Sequence, residues 1–208
     1  MFADRREAGR SLASLLTSER DPLILGIARG GVVVAHAVAF ALDADLDVVV
    51  IRKVGHPRQP ELALGAVSAS GESVVAPYAE EYYSGPVAPL FEEQTQRARD
   101  LELRVRGDGP RVPIEGRNVV IVDDGIATSA TMECAVAHAR RARAARVVCA
   151  APVAPAESIE LIRRRCDDVA VVIAARERDF AVGRYYRDFR EVDDRQVIEA
   201  LRSSIGRG

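Results

Sequence analysis

Hydrophobic positions along the chain fall into two alternating rhythms. Short apolar, largely β-branched runs recur, and longer stretches with apolar positions three to four apart follow them. Leu23–Ala28, Asp47–Ile51, Asn118–Val122, Arg146–Ala151 and Val169–Ala174 predict buried strands. Val32–Leu42, Ala130–Arg143 and Ala156–Arg165 predict the helices between them. Near the N-terminus, Asp4 with Glu7 three residues later reads as a capping box, and Ala8, Leu12, Leu15 and Leu16 continue as an apolar helical stripe. Leu62–Val67 and Glu72–Ala76, joined across Ala69-Ser70-Gly71, predict a hairpin. Lys53–Pro60, with Gly55, Pro57 and Pro60, predicts a loop. Pro89–Arg106 predicts a polar helix stopped by Gly107-Asp108-Gly109-Pro110. The tail holds Phe180, Tyr185, Tyr186 and Phe189 before a last helix near Arg195–Arg202.

Strands alternating with helices predict an α/β fold, a doubly wound parallel sheet in a single domain. Ligands in such sheets bind beyond the carboxyl ends of the strands. The loops after Ala28, Ile51 and Val122 are therefore the places to look for chemistry.

Composition narrows the partner more than the fold. The 208 residues are 48% hydrophobic and 29% charged, which excludes a disordered or collagen-like chain. Against 31 Asp+Glu stand 29 Lys+Arg, a net charge of -2, so neither nucleic acid nor an anionic membrane is expected as the main partner. No apolar run approaches the ~20 residues of a membrane span. The opening MFADRREAGRS has charge where a signal peptide needs an apolar stretch, so a cytoplasmic location is expected. Cys134, Cys149 and Cys166 form no CxxC pair and read as buried free thiols. His36, His56 and His138 have no zinc spacing. Lys53 is the only lysine in an arginine-rich chain, which marks it for attention.

The most informative segment runs from Val119 to Thr131: a buried strand, then Asp123-Asp124-Gly125-Ile126-Ala127-Thr128-Ser129-Ala130-Thr131. Successive backbone N–H groups in a small-residue turn, with a helix N-terminus behind them, form a site for a phosphate monoester. Thr128, Ser129 and Thr131 add hydroxyl donors. Ionised carboxylates only accept hydrogen bonds, so Asp123 and Asp124 suit the vicinal hydroxyls of a sugar. The segment reads as a grip on ribose 5-phosphate. Capping of the next helix accounts for one acid but not for the whole turn. An acidic receiver pocket is discounted because no lysine follows the acids, and a Walker site lacks its Gly-Lys-Thr.

This segment resembles the phosphoribosyl pyrophosphate (PRPP) signature of type I phosphoribosyltransferases: a hydrophobic strand, two acids and a short turn ending Thr-Gly-x-Thr. Ser129 stands where that family usually has glycine. The Arg29-Gly30-Gly31 turn, the Arg52-Lys53 pair and the aromatic tail extend the likeness over most of the chain, and the nearest resemblance is to uncharacterised bacterial members. The resemblance implies a domain whose core spans about 20–176. A flexible hairpin flap would cover about 53–76, and terminal segments, about 1–19 and 177–208, would form a hood. It implies 5-phosphate binding by Gly125, Ile126, Ala127, Thr128, Ser129, Ala130 and Thr131, and pyrophosphate binding by Arg29, Gly30 and Gly31. Catalytic roles fall to Asp123, Asp124, Arg52 and Lys53. Glu61 and His56 belong to the flap without an assigned role. Tyr185 and Tyr186 either stack on a base or pack a core or dimer face. Magnesium is the implied cofactor, carried by PRPP with no dedicated protein cage, near Asp123 and Asp124.

The implied reaction moves ribose 5-phosphate from PRPP to a small nitrogenous base with loss of pyrophosphate, in a homodimer of nucleotide metabolism. A PRPP- or nucleotide-sensing regulator that keeps the grip without the chemistry is the alternative. An amidotransferase lacks its cysteine near the start.

Overall fold

The computed structural model describes residues 1–107, 109–177 and 179–204. Asp108 of the predicted helix stop lies outside this range, as do the side chains of Pro60, Glu61 and Ser204. The chain runs α1 (Arg5–Ala13), β1 (Pro22–Ile27), α2 (Gly30–Leu42), β2 (Asp45–Val49), β3 (Ile51–His56), β4 (Gln59–Ser68) and β5 (Ser73–Val75). There follow α3 (Ala79–Tyr82), α4 (Ala88–Arg106), β6 (Asn118–Val122), α5 (Ser129–Arg141), β7 (Arg146–Pro155), α6 (Ala156–Arg163), β8 (Asp168–Ala175), a 3-10 turn at Val182–Tyr185 and α7 (Asp194–Ser204). Among the described residues no helix is long and apolar enough to cross a membrane.

The central sheet has the order β2-β1-β6-β7-β8, and every pairing within it is parallel. Alternate side chains go to opposite faces. Ile24, Val120, Val122, Val148 and Ala150 pack beneath α1 and α2 with Leu12, Leu16, Val34 and Val38. Leu23, Leu25, Val119, Ile121, Val147 and Cys149 face α5 and α6 with Met132, Ala135, Ile159 and Ile162. A strand covered on both faces has to be apolar throughout, which is the reason for the unbroken runs in the sequence.

In chain order these parallel strands follow the 2-1-3-4-5 pattern, whose crevice opens where the order reverses. Here that point lies between β1 and β6, and Gly26 stands opposite Val122 in the register. The turn after each of these strands therefore empties into the same crevice.

The sheet β3-β4-β5 is separate and antiparallel. It contains the predicted hairpin, but it corrects the predicted loop at 53–60. Residues 51–56 and 59–68 are strands, and only Pro57 and Arg58 form the turn. Gly55 marks a register shift inside the pairing, so a residue read as a chain break is a bulge. The predicted strand over 47–51 divides at Val50 between the two sheets. β7 continues four residues past the predicted Ala151, to Pro155. In α1 the capping box holds, with the Asp4 side chain accepting from the Glu7 amide, but Leu15 is exposed.

Asp47 is a buried charge with a structural role. Its carboxylate lies 2.7 Å from the Arg106 guanidinium and also accepts the backbone N–H groups of Val48 and Val112. Arg106 donates in addition to the Val48 carbonyl, so the pair ties α4 to β2. Removing one partner of such a pair strands the other. Asp47→Ala is expected to cost about 3–5 kcal/mol, read as a lower midpoint in urea unfolding.

Candidate active site

The two turns at the reversal point touch. Gly30 lies so close to the acidic turn that a Cβ there would sit 2.0 Å from Asp124 Oδ2. At Gly31 it would sit 2.6 Å from the Val122 carbonyl and 2.9 Å from Asp123 Cα. Only glycine allows this approach. The Ala28–Arg29 peptide bond is cis. The basic turn and the acidic turn are thus in contact.

Asp123 and Asp124 are both shielded. The Asp123 Oδ1 atom accepts the backbone N–H of Asp124 at 2.9 Å. Burial, with the neighbouring Asp124 charge added, raises the Asp123 carboxyl well above the usual aspartate range. Burial also raises Asp124, against the pull of Arg5. The Arg5 Nε donates to Asp124 Oδ2 at 2.7 Å. Its guanidinium lies 4.0 Å from the centre of the Phe189 ring, and Nη1 donates to the Arg190 carbonyl. Sequence reasoning missed Arg5 altogether, because no local spacing connects residue 5 with residue 124.

The turn beyond the acids leads into α5 without a side-chain cap. Ile126 is buried and its N–H donates to the Val153 carbonyl, which anchors the turn to β7. Gly125 packs on Val182, where a Cβ would come within 2.3 Å of Cγ1. Thr128 is the N-cap of α5, extended at φ -133°, and its side chain makes no capping hydrogen bond. The first amides of α5 thus receive nothing from that cap. Ala127 and Thr128 are exposed, while Ser129, Ala130 and Thr131 are half-buried. Ser129 opens the helix and is not among the residues with positive φ, so serine in place of glycine brings no backbone strain.

Arg52 joins Arg29 on the other side of the crevice. Burial lowers its pKa, and the charges of Arg97, Arg29 and Arg104 lower it further, so four guanidinium groups crowd one region. Gln94 accepts from Arg52 Nε at 3.0 Å. Arg29 is held by Glu191 at 3.0 Å and lies 2.9 Å from Asp194, which also binds Arg104 at 2.8 Å. Gln94, Arg97 and Arg104 were not singled out from the sequence. Their spacing of three and seven residues places them on one stripe of α4, and that was the available signal.

Lys53 is not brought to Arg52. Neighbouring residues on a strand point to opposite faces, and Lys53 is exposed on the face of β3 that also carries Ile51. Ile51 packs in the same cluster as Ile126 and Met132, so that face looks toward the Ile126 turn and α5. The aromatic tail also divides. Tyr186 is buried, stacked on Phe189 at 4.8 Å and against Phe2 at 5.5 Å, and its hydroxyl donates to the Asp124 carbonyl at 2.5 Å. Its ring is taken up by the fold, which corrects its place among the base-stacking candidates. Tyr185 is half-buried beside Phe180 and donates to Glu177 at 2.8 Å.

Comparison with known proteins agrees with this geometry. The sequence profile of the phosphoribosyl transferase domain matches residues 5–188. The chain belongs to the phosphoribosyltransferase family. Proteins from two strains of Mycobacterium tuberculosis, provisionally named phosphoribosyl transferases, are each 39% identical over 206 residues. The match covers 97% of this chain and 46% of those proteins, so the chain spans about half the length of these curated relatives. The crystal structure of TT1426 from Thermus thermophilus is 44% identical, covering 96% of this chain and 97% of that one, with a TM-score of 0.76.

The raised Asp123 carboxyl gives a stability test for this chain. A carboxyl raised by folding stabilises the native state fully below the ordinary aspartate value. That contribution is lost as pH rises through the raised value. At neutral pH the charge is a cost, so Asp123→Asn is expected to melt above wild type near about pH 7.5 and to lose the advantage near about pH 4. A gain of about 1 kcal/mol corresponds to roughly 2–4 °C, which thermal unfolding at the two pH values resolves.

Proposed function

We propose that the chain transfers the phosphoribosyl group of PRPP to a nitrogen of a small base and releases pyrophosphate. The observation that carries this reading is the contact of two turns of opposite character at the sheet's reversal point. One is acidic and leads into open helix amides; the other is basic and glycine-tight.

In this reading the amides of Ala127–Thr131 and the hydroxyls of Thr128, Ser129 and Thr131 hold the 5-phosphate. Asp123 and Asp124 accept from the ribose hydroxyls and offset the positive charge that develops on the sugar. The base nitrogen forms a bond to C1 as the C1–O bond to pyrophosphate breaks, and pyrophosphate leaves with the electron pair. Arg29, Arg52 and the Gly30 and Gly31 amides meet the growing charge on the leaving group. The crowding of Arg29, Arg52, Arg97 and Arg104 supports this assignment, since a polyanion relieves it.

A magnesium ion fits this donor set only in part. Asp124 is engaged by Arg5, and no group of three or more His, Cys, Asp or Glu residues forms a cage among the described residues. Asp123 with substrate oxygens and water suits an ion that is held mainly by phosphates. When bound, it neutralises pyrophosphate charge.

Closure over the substrate is assigned to the β3–β4 end, around the Pro57-Arg58 turn. The other end of the hairpin is tied down, because buried Glu72 binds His138 at 3.2 Å and Arg141 at 3.4 Å on α5. Tyr185 is the remaining aromatic candidate for the base. The Arg5–Asp124 ion pair favours one second reading, a PRPP- or nucleotide-sensing regulator, because it occupies an acid that the ribose needs.

Two measurements test the assignment. Calorimetry should show PRPP binding with magnesium, lost in a folded Asp123→Asn/Asp124→Asn variant. Retained affinity in that variant would remove the ribose grip. A screen of purines, pyrimidines and related bases should then find one that releases pyrophosphate. Lys53, exposed on the β3 face that looks toward the Ile126 turn, is assigned to the leaving pyrophosphate once the β3–β4 end closes, so with that base Lys53→Ala is expected to lower kcat by roughly 2–4 kcal/mol of transition-state stabilisation and PRPP affinity much less. PRPP binding with no base turned over would replace the enzyme by the regulator.

A further inference from the structure

Three free thiols lie outside the crevice, and two of them meet. Cys149 belongs to β7, and Cys166 to the turn between α6 and β8. Cys149 is fully buried in the cluster that packs the sheet against α5 and α6. Cys166 is half-buried and packs on the same cluster.

The strand register brings them together. Cys149 is the partner of Val169, and the carbonyl of the preceding Asp168 lies 3.1 Å from the Cys166 Sγ. The Ile162 carbonyl in α6 lies 3.3 Å from the same sulfur. The two thiols are joined by a hydrogen bond. Sulfurs in such contact need only a short approach to reach the S–S bond length of about 2.05 Å. Cys166 stands in a turn, so the approach displaces no strand or helix.

The two thiols differ in character. The hydrogen bond from Cys149, with backbone hydrogen bonds at Cys149 and Asp168, lowers the Cys166 thiol below the usual cysteine range despite its burial. The same hydrogen bond, with burial, raises Cys149 well above that range. Asp167 opposes ionisation of both, but its carboxylate is held by Arg140 at 2.7 Å and by the Val147 N–H at 2.7 Å. Cys166 is therefore the first of the pair to ionise and the one nearer solvent, which makes it the nucleophile. Cys134 gives the contrast. It is fully buried, its thiol is pushed up to about 12 by burial, and it donates to the Glu72 carbonyl at 3.2 Å.

We propose that Cys149 and Cys166 form a modification site, in which a hydroperoxide oxidises Cys166 and Cys149 closes the pair into a reversible disulfide. With hydrogen peroxide, the Cys166 thiolate attacks one oxygen, the O–O bond breaks and hydroxide leaves, and Cys166 becomes a sulfenic acid. The Cys149 sulfur then attacks the Cys166 sulfur. The S–S bond forms as the S–O bond breaks, the Cys149 proton goes to the departing hydroxide, and water is released. Two thiols and one peroxide thus give one disulfide and two waters. A dithiol reductant returns both thiols by exchange. The site does not rest on the proposed transfer reaction, because none of its groups belongs to the strand-end turns.

The test is a thiol map of the full folded chain. Tryptic peptides 147–163 and 166–176 carry one of these cysteines each, and 118–140 carries Cys134. After hydrogen peroxide and alkylation of the remaining thiols, mass spectrometry is expected to find 147–163 linked to 166–176, two hydrogens lighter than the separate peptides. Dithiothreitol should abolish the link, and Cys134 should oxidise at least about tenfold more slowly than Cys166. In Cys149→Ala the sulfenic acid should persist and be trapped by dimedone on 166–176. In Cys166→Ala, Cys149 should stay reduced. Circular dichroism checks that each variant is folded, and Cys149→Ser replaces Cys149→Ala if that chain does not fold. Both cysteines staying reduced while Cys134 oxidises, Cys166 passing to a sulfinic acid without a link, or a link between two copies of 166–176 would each overturn the proposal. Dimedone on Cys149 in Cys166→Ala, with none on Cys166 in Cys149→Ala, would overturn the order of attack. The wild-type map decides the pair whatever the variants do.

Discussion

A carboxylate at the end of a fully covered strand needs compensation, and at Asp124 it comes from Arg5, 119 residues earlier. Gly30 closes the space above the carboxylate, and the Tyr186 hydroxyl takes the carbonyl of the same residue. One residue therefore gathers the N-terminal helix, the basic turn and the C-terminal tail. The packing of the termini follows from this. Phe2 forms a bridge with Tyr186, and Arg5 lies over the Phe189 ring. Without that pairing, Asp124 would add a second unneutralised acid beside Asp123, whose own carboxyl is already raised by burial.

The basic side of the crevice shows the opposite imbalance. Arg52 is depressed by its own burial and by three other guanidinium groups, and the acids that hold Arg29 and Arg104 come from the loop before α7 and its first residue. Crowded like charges and a buried acid pair both detract from stability. Their concentration on the two sides of one crevice is what a binding site for a charged substrate requires.

The second sheet has a different logic. Glu72 is buried, accepts from Ser68 and holds His138 and Arg141, so the β5 end is fastened to α5. Burial raises the Cys134 thiol of α5 to about 12, and it donates to the Glu72 carbonyl as an inert group. α5 is thereby fastened to the β5 end of the hairpin, away from the Pro57-Arg58 turn.

The strands, the helices and both strand-end turns were legible in the sequence, because a strand buried on both faces must be apolar and because Gly30-Gly31 and Asp123-Asp124 interrupt that pattern locally. The family was legible for the same reason, since its signature is contiguous. Gly55 and Pro57 misled, because a bulge and a tight turn use the same residues as a loop, and only pairing with β4 distinguishes them. The helical stripe of Gln94, Arg97 and Arg104 was present but carried no sign of which wall it would line. Arg5 on Asp124 and Tyr186 under the acidic turn were decided by the tertiary structure alone. Each depends on residues far apart in the chain that the parallel order β2-β1-β6-β7-β8 carries into contact, and neither local spacing nor composition encodes such a distance.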